Sequence, residues 1–355
     1  MLVLLNLLGA IFAGTLVEGV AAHSKEDAQG WGGHDDGDGD PAERAPDEGA
    51  GDLLDEVFRS DSSSPEDDAA MDGIVTDDLP ILPDAPREVV GGPGDDLIDG
   101  GNSGDRLAGG AGNDQINARG GDDIITGGAG DDIVWAGDGD DHVDGGDDDD
   151  TLYGGTGDDW LAGGAGDDWL AGEGGDDSLS GGDGDDTLIG GEGDDRLDGG
   201  AGDDWLAGGW GDDTLIGGAG SDTLDGGSGN DWLSGLFPEG NDDSETDFLN
   251  GTEGDDTLWL GMGDIGTGGQ GADSFVLPSW MAAGEGAIIL DHDPAEDQIV
   301  VVVDHAAHPD PQLVVEQGEG DTTRILLDGA TLATVNGRVE LADIRLVEGG
   351  PGRMF

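Results

Sequence analysis

A chain of 355 residues with 84 acidic and only 11 basic side chains has a formal charge of −73, which opposes compaction unless something neutralises it. That charge argues against nucleic acid as a partner, since the phosphates would be repelled, and the absence of cysteine excludes disulfide stapling and thiolate metal or redox sites. With 75 glycines and only 34% hydrophobic and 5% aromatic residues, a single broad apolar core is excluded too.

The chain opens on an apolar segment, residues 1–22, MLVLLNLLGAIFAGTLVEGVAA, which contains Glu18. No positively charged n-region precedes it, unlike a secretory signal. The uninterrupted stretch to Val17 is short for a spanning helix. Membrane association, a signal-like role and a merely hydrophobic terminus all stand as readings of it. Residues 23–90 are acidic, with runs such as HDDGDGDP and SSSPEDD, and read as a disordered, charge-extended linker. Within it DLLDEVF, Asp52 to Phe58, has the length of one or two helical turns and no more.

From Gly91 to Ser234 a nonapeptide, G-G-x-G-x-D-x-U-x with U aliphatic, repeats sixteen times without insertion. Position six is aspartate in every copy: Asp96, Asp105, Asp114, Asp123, Asp132, Asp141, Asp150, Asp159, Asp168, Asp177, Asp186, Asp195, Asp204, Asp213, Asp222 and Asp231. Position eight is Leu, Ile or Val in every copy, and position four is glycine in all but two, where Ser103 and Asp148 stand. Such a period predicts a strand at positions seven to nine with its central side chain inward, and a glycine-permitted turn at positions one to six. Two nonapeptides make one coil with a thin sheet on each side, and the coils stack at about 4.8 Å. The position-six carboxylates then line each edge beside turn carbonyls, an all-oxygen donor set that suits calcium better than magnesium. Twelve copies carry a second aspartate at position five, read as a solvated turn residue. A disordered acidic tract would share this composition but not the locked D-x-U spacing.

These residues resemble the calcium-binding nonapeptide repeats of the RTX family, strongly over residues 91–234 and less regularly over 251–276. The resemblance implies a parallel β-roll that binds multiple calcium ions, and export through the type I secretion machinery as an unfolded chain. It places the protein outside the cell, secreted or surface-associated.

Residues 235–250, GLFPEGNDDSETDFLN, interrupt the period and read as an inserted surface loop. An irregular continuation, residues 251–276, puts Asp256 and Asp273 in the metal-binding slot, with Phe275 closing the end of the core. Residues 277–355 are rich in β-branched residues and predict a small β-rich C-terminal cap; the resemblance to segments that close RTX rolls implies a secretion signal there. There Asp291, Asp293 and Asp297 form either a solvated turn or one more calcium site.

No HExxH, nucleophile elbow or Walker pattern occurs, and His305 and His308 read as part of a surface turn. The sequence therefore predicts an all-β protein: a calcium-stabilised parallel β-roll with a β-rich C-terminal cap and a disordered acidic N-terminal region. The function it points to is a non-enzymatic, secreted calcium-binding protein with a structural, surface or matrix role. Two alternatives remain. One is a calcium-dependent adhesin or binding module that grips a glycan or cell-surface protein through outward Trp135, Tyr153, Trp169 and Trp205; the other is an accessory module of a polysaccharide-modifying or hydrolytic enzyme.

Overall fold

The computed structural model describes residues 74–75, 85–236, 245–280 and 286–350, all within the unit Asp67–Phe355. Residues 1–22, the Asp52 to Phe58 run and most of the acidic linker lie outside the described residues.

One copy illustrates the whole roll. The strand Trp169–Gly174 turns Leu170 inward, where it is fully buried. It pairs in parallel with the copies eighteen residues before and after, as Leu170↔Leu152 and Leu170↔Leu188. The next copy, Ser178–Asp183, lies in the opposite sheet. Alternation of this kind builds two sheets, of fifteen and thirteen strands among the described residues. Numbering the copies from Gly91, odd copies line one edge of the roll and even copies the other. The core is one aliphatic side chain per copy, from Ile98 to Leu233, each at most 2% exposed. Burial of about 1.5–3 kcal/mol per such side chain is repeated coil after coil, so a narrow core suffices.

Most strands of the roll are six residues long where three were expected. Pairing resumes after position one, as in Glu173↔Gly191 and Gly174↔Glu192, while the register passes over Gly172. Positions two and four take left-handed backbone, as at Gly164 (φ 122°) and Gly166 (φ 141°). A methyl on Gly164 would strike the Gly146 carbonyl of the neighbouring coil. Arg119, Glu173 and Thr252 at position two and Asp148 at position four adopt the same φ without being glycine.

The stack continues beyond Ser234. Phe248–Glu253 pairs with Thr223–Ser228, and Thr257–Trp259 with Trp232–Ser234. Ile265–Gln270 follows with Gly266 in the inward slot, and the buried Leu260 fills the space: a methyl on Gly266 would lie 3.0 Å from both of its terminal carbons. Phe275 is fully buried but does not end the core, because Ile299 of Gln298–Val303 pairs directly onto it. Ala287–Ile289 likewise extends the other sheet. Beyond it comes an antiparallel meander of Leu313–Gln317, Thr322–Leu327 and Ala330–Asn336. Ile344–Glu348 is the last strand, parallel to Gln298–Val303. The only helical element among the described residues is the short 3-10 turn Leu341–Asp343.

Candidate metal centre

All eighteen position-six aspartates predicted as ligands, Asp96 to Asp273, are buried, none more than 5% exposed. Each carboxylate has two distinct oxygens. Oδ1 accepts the backbone N–H of the position-six aspartate one coil earlier: Asp150 N–H donates to Asp168 Oδ1 at 2.8 Å, and Asp168 N–H to Asp186 Oδ1 at 2.8 Å. Oδ2 has no hydrogen-bond partner at every ninth residue from Asp105 to Asp213, nor at Asp231 and Asp256. A row of buried carboxylate oxygens without donors is costly and calls for a cation.

Burial without compensation pushes the carboxyls of the middle of this row up. Asp150 and Asp204 reach about 8, and Asp123, Asp159, Asp177, Asp186 and Asp213 about 7. Desolvation is the main cause, repulsion from neighbouring aspartates adds to it, and the hydrogen bond from the preceding coil opposes both.

The space beside Oδ2 is kept open by glycine. A methyl on Gly190 would press against Asp195 Oδ2 and lie 2.6 Å from the Gly208 carbonyl oxygen, so a carboxylate and a main-chain carbonyl from adjacent coils flank one cradle. No group of three or more acidic or imidazole side chains suited to a metal forms among the described residues. The donor set is therefore carboxylate plus carbonyl oxygen, which fits a hard, oxygen-loving ion such as calcium.

Position five behaves differently. These aspartates are exposed but not merely solvated: Asp149 Oδ1 accepts from Asp167 N–H at 2.9 Å, and Asp167 Oδ1 from Asp185 N–H at 3.0 Å. The position-five ladder reaches forward along the chain and the position-six ladder backward. Asn113 and Asn230 serve in the outer ladder, accepting from Asp131 and Asp255. An asparagine could equally meet the single acceptor demand at position six, yet all sixteen copies carry aspartate there. The additional demand is on Oδ2.

Three further aspartates continue the ladder: Asp247 and Asp264, which the sequence reading missed, and Asp297, which it placed in a turn or an extra calcium site. Asp247 accepts from Asp222 N–H at 2.9 Å, Asp264 from Asp247 N–H at 3.2 Å, and Asp297 from Asp273 N–H at 3.1 Å. The D-x-U signal was present in DFL and DQI, without the glycines that usually precede it. Asp264 lacked even that, because Gly266 stands in the aliphatic slot. Asp291 accepts from Gly268 and Gly269 N–H, and Asp293 Oδ1 from Ala295 N–H, so backbone amides engage this turn. His308 Nδ1 meets Asp328 Oδ2 at 2.6 Å and its Nε2 the Ser279 carbonyl at 3.2 Å, pinning the HxxH turn.

The outward aromatics form short stacks. Trp135 and Tyr153 lie nearly parallel with centroids 6.0 Å apart, and Trp169 tilts against Tyr153 at 4.8 Å. Trp205 is 41% exposed.

The sequence profile of the RTX calcium-binding nonapeptide repeat matches residues 88–116, 117–152, 144–179, 153–188, 180–215, 207–237 and 241–275. No curated protein matches this chain. Among solved structures, the extracellular lipase LipA from Serratia marcescens aligns at 18% identity and a TM-score of 0.17, covering 74% of this chain. The alignment spans 40% of that lipase. RTX nonapeptide repeats bind calcium at multiple sites, and the profile covers more than half of the residues here. The chain belongs to the RTX calcium-binding nonapeptide repeat family.

Proposed function

We propose that this protein is a secreted, non-enzymatic calcium-binding protein whose roll folds when the position-six aspartates take up calcium. The row of buried, unpartnered Oδ2 atoms carries the reading. Asp105 to Asp231 and Asp256 supply carboxylate oxygen, and the position-one carbonyls of the following coil supply the rest. Bound calcium contributes the positive charge that these oxygens lack. The residues do the remainder: each Oδ1 ties its coil to the one before, and the glycines hold the cradle open. Folding and binding are coupled, because the unfolded chain has no cradle. Family membership supports export through a type I secretion system as an unfolded chain, which then folds in extracellular calcium. An adhesin would use the faces of Trp135, Tyr153 and Trp169, which are engaged with one another in part.

The test is a calcium titration of the full chain, read by far-UV circular dichroism and hydrodynamic radius, with magnesium at equal ionic strength as control. Compaction and gain of β-structure over roughly 10⁻⁴ to 10⁻³ M calcium is expected for an extracellular module. A chain that stays expanded, or answers magnesium equally, overturns the reading.

A further inference from the structure

Among the described residues the even edge of the roll does not begin with an aspartate. Glu88–Val90 pairs with Arg106–Ala111 in the register Glu88↔Arg106 and Val89↔Leu107. Val89 thus takes the inward slot of a coil preceding the first recognisable copy, and Arg87 takes position six. Its backbone behaves as position six does elsewhere: Arg87 N–H donates to Asp105 Oδ1 at 2.6 Å. Its side chain carries the opposite charge.

The guanidinium goes where the interior coils keep their cradle. In those coils the position-six Oδ2 and the position-one carbonyl of the following coil face the same space, as Asp195 and Gly208 do around Gly190. In the first coil the corresponding carbonyl belongs to Gly100, and Arg87 Nη1 donates to it at 2.8 Å. Arg119 reinforces this corner from the next coil, with a bidentate pair to Asp99 at 2.6 and 2.8 Å. On the odd edge the first ladder aspartate, Asp96, is partnered within its own turn, where its Oδ2 accepts from Gly92 N–H at 2.5 Å.

We propose that Arg87 is a tethered cation that closes the N-terminal end of the even edge without calcium, so that the ion array on that edge begins at Asp105. The inference rests on the calcium-folded roll proposed above. A carboxylate with a bound ion is replaced by one permanently charged side chain. An ion stabilises only once its concentration approaches its dissociation constant, whereas a tethered guanidinium is present at every calcium concentration. Among the described residues this coil is covered on one side only, and Arg87 gives the Gly100 carbonyl a charged donor where a calcium ion would have fewer ligands.

Hydrogen exchange by mass spectrometry and bound calcium per chain, measured on full-length wild type, Arg87→Gln and Arg87→Asp in saturating calcium, test this. Arg87→Gln is expected to bind as many ions as wild type while residues 88–108 lose about tenfold in exchange protection, the effect of removing one charge-assisted hydrogen bond. Mid-roll peptides should not change. Arg87→Asp restores the repeat's own carboxylate, so it should bind one further ion and make protection of residues 88–108 depend on calcium. Unchanged protection in Arg87→Gln, or no further ion in Arg87→Asp, overturns the role of Arg87 while leaving the calcium-folded roll intact. A wild-type chain that takes up no calcium instead overturns the reading beneath it.

Discussion

Adjacent glycines in this roll do different work. Gly164 has φ 122°, and a methyl there meets the Gly146 carbonyl, which is backbone and cannot move aside. At Gly163 the nearest atoms to the methyl all belong to the Asp168 side chain rather than to backbone, and Ala118 and Ala136 already occupy this position, fully buried, in the fourth and sixth copies. Gly164→Ala is therefore expected to cost at least about 1–3 kcal/mol in backbone strain, and Gly163→Ala less. Urea unfolding in saturating calcium compares them; equal losses would refute the distinction. The non-glycine residues with positive φ, such as Glu173, show that the strain is tolerated singly inside a stack that holds it on both sides.

At the level of one coil, the two oxygens of a ladder aspartate can be separated by substitution. Asp186 Oδ1 accepts from Asp168 N–H, and burial pushes the carboxyl up to about 7. Asp186→Asn keeps an acceptor for Asp168 and removes the buried charge, and its amide can donate toward the Gly199 carbonyl that flanks the same cradle. It should ease folding in chelator yet bind less calcium and shift the calcium midpoint upward. Asp186→Ala leaves the Asp168 N–H unsatisfied and should lose about 1–3 kcal/mol whether or not calcium is present. Circular dichroism in chelator and in calcium tells the variants apart. Were Asp186→Asn to fold and bind like wild type, Oδ2 would have no part in the metal centre.

Over the whole molecule the ladder makes stability depend on pH. In the metal-free roll most position-six carboxyls from Asp123 onward are raised from 3.8 to about 6–8, so folding takes up protons. Stability of the metal-free fold is then greatest below the unfolded value of 3.8 and falls as pH rises through 6 to 8. In chelator, β-structure present near pH ~4.5 should be lost by about pH 8, and calcium should restore it there with release of protons. A metal-free chain that gains structure as pH rises would contradict this sign. The formal charge of −73 acts in the same direction, because protons and calcium both relieve it.

Much of this protein is legible in its amino-acid sequence alone. The D-x-U triplet sets which side chain points inward and which carboxylate lies at the edge, and sixteen repeats of it at period nine leave one parallel register. The choice of an oxygen-seeking ion follows from aspartate and carbonyl chemistry alone. What only the tertiary structure decided were relations between residues seventeen to twenty-five apart: the opposed directions of the two aspartate ladders, the entry of Asp247, Asp264 and Asp297, and the pairing of Arg87 with Asp105. The filling of the Gly266 gap by Leu260 was decided there too. A periodic sequence states the local conformation of each copy. Which atom of one copy meets which atom of the next is settled only when the coil closes and brings those distant residues within hydrogen-bond reach.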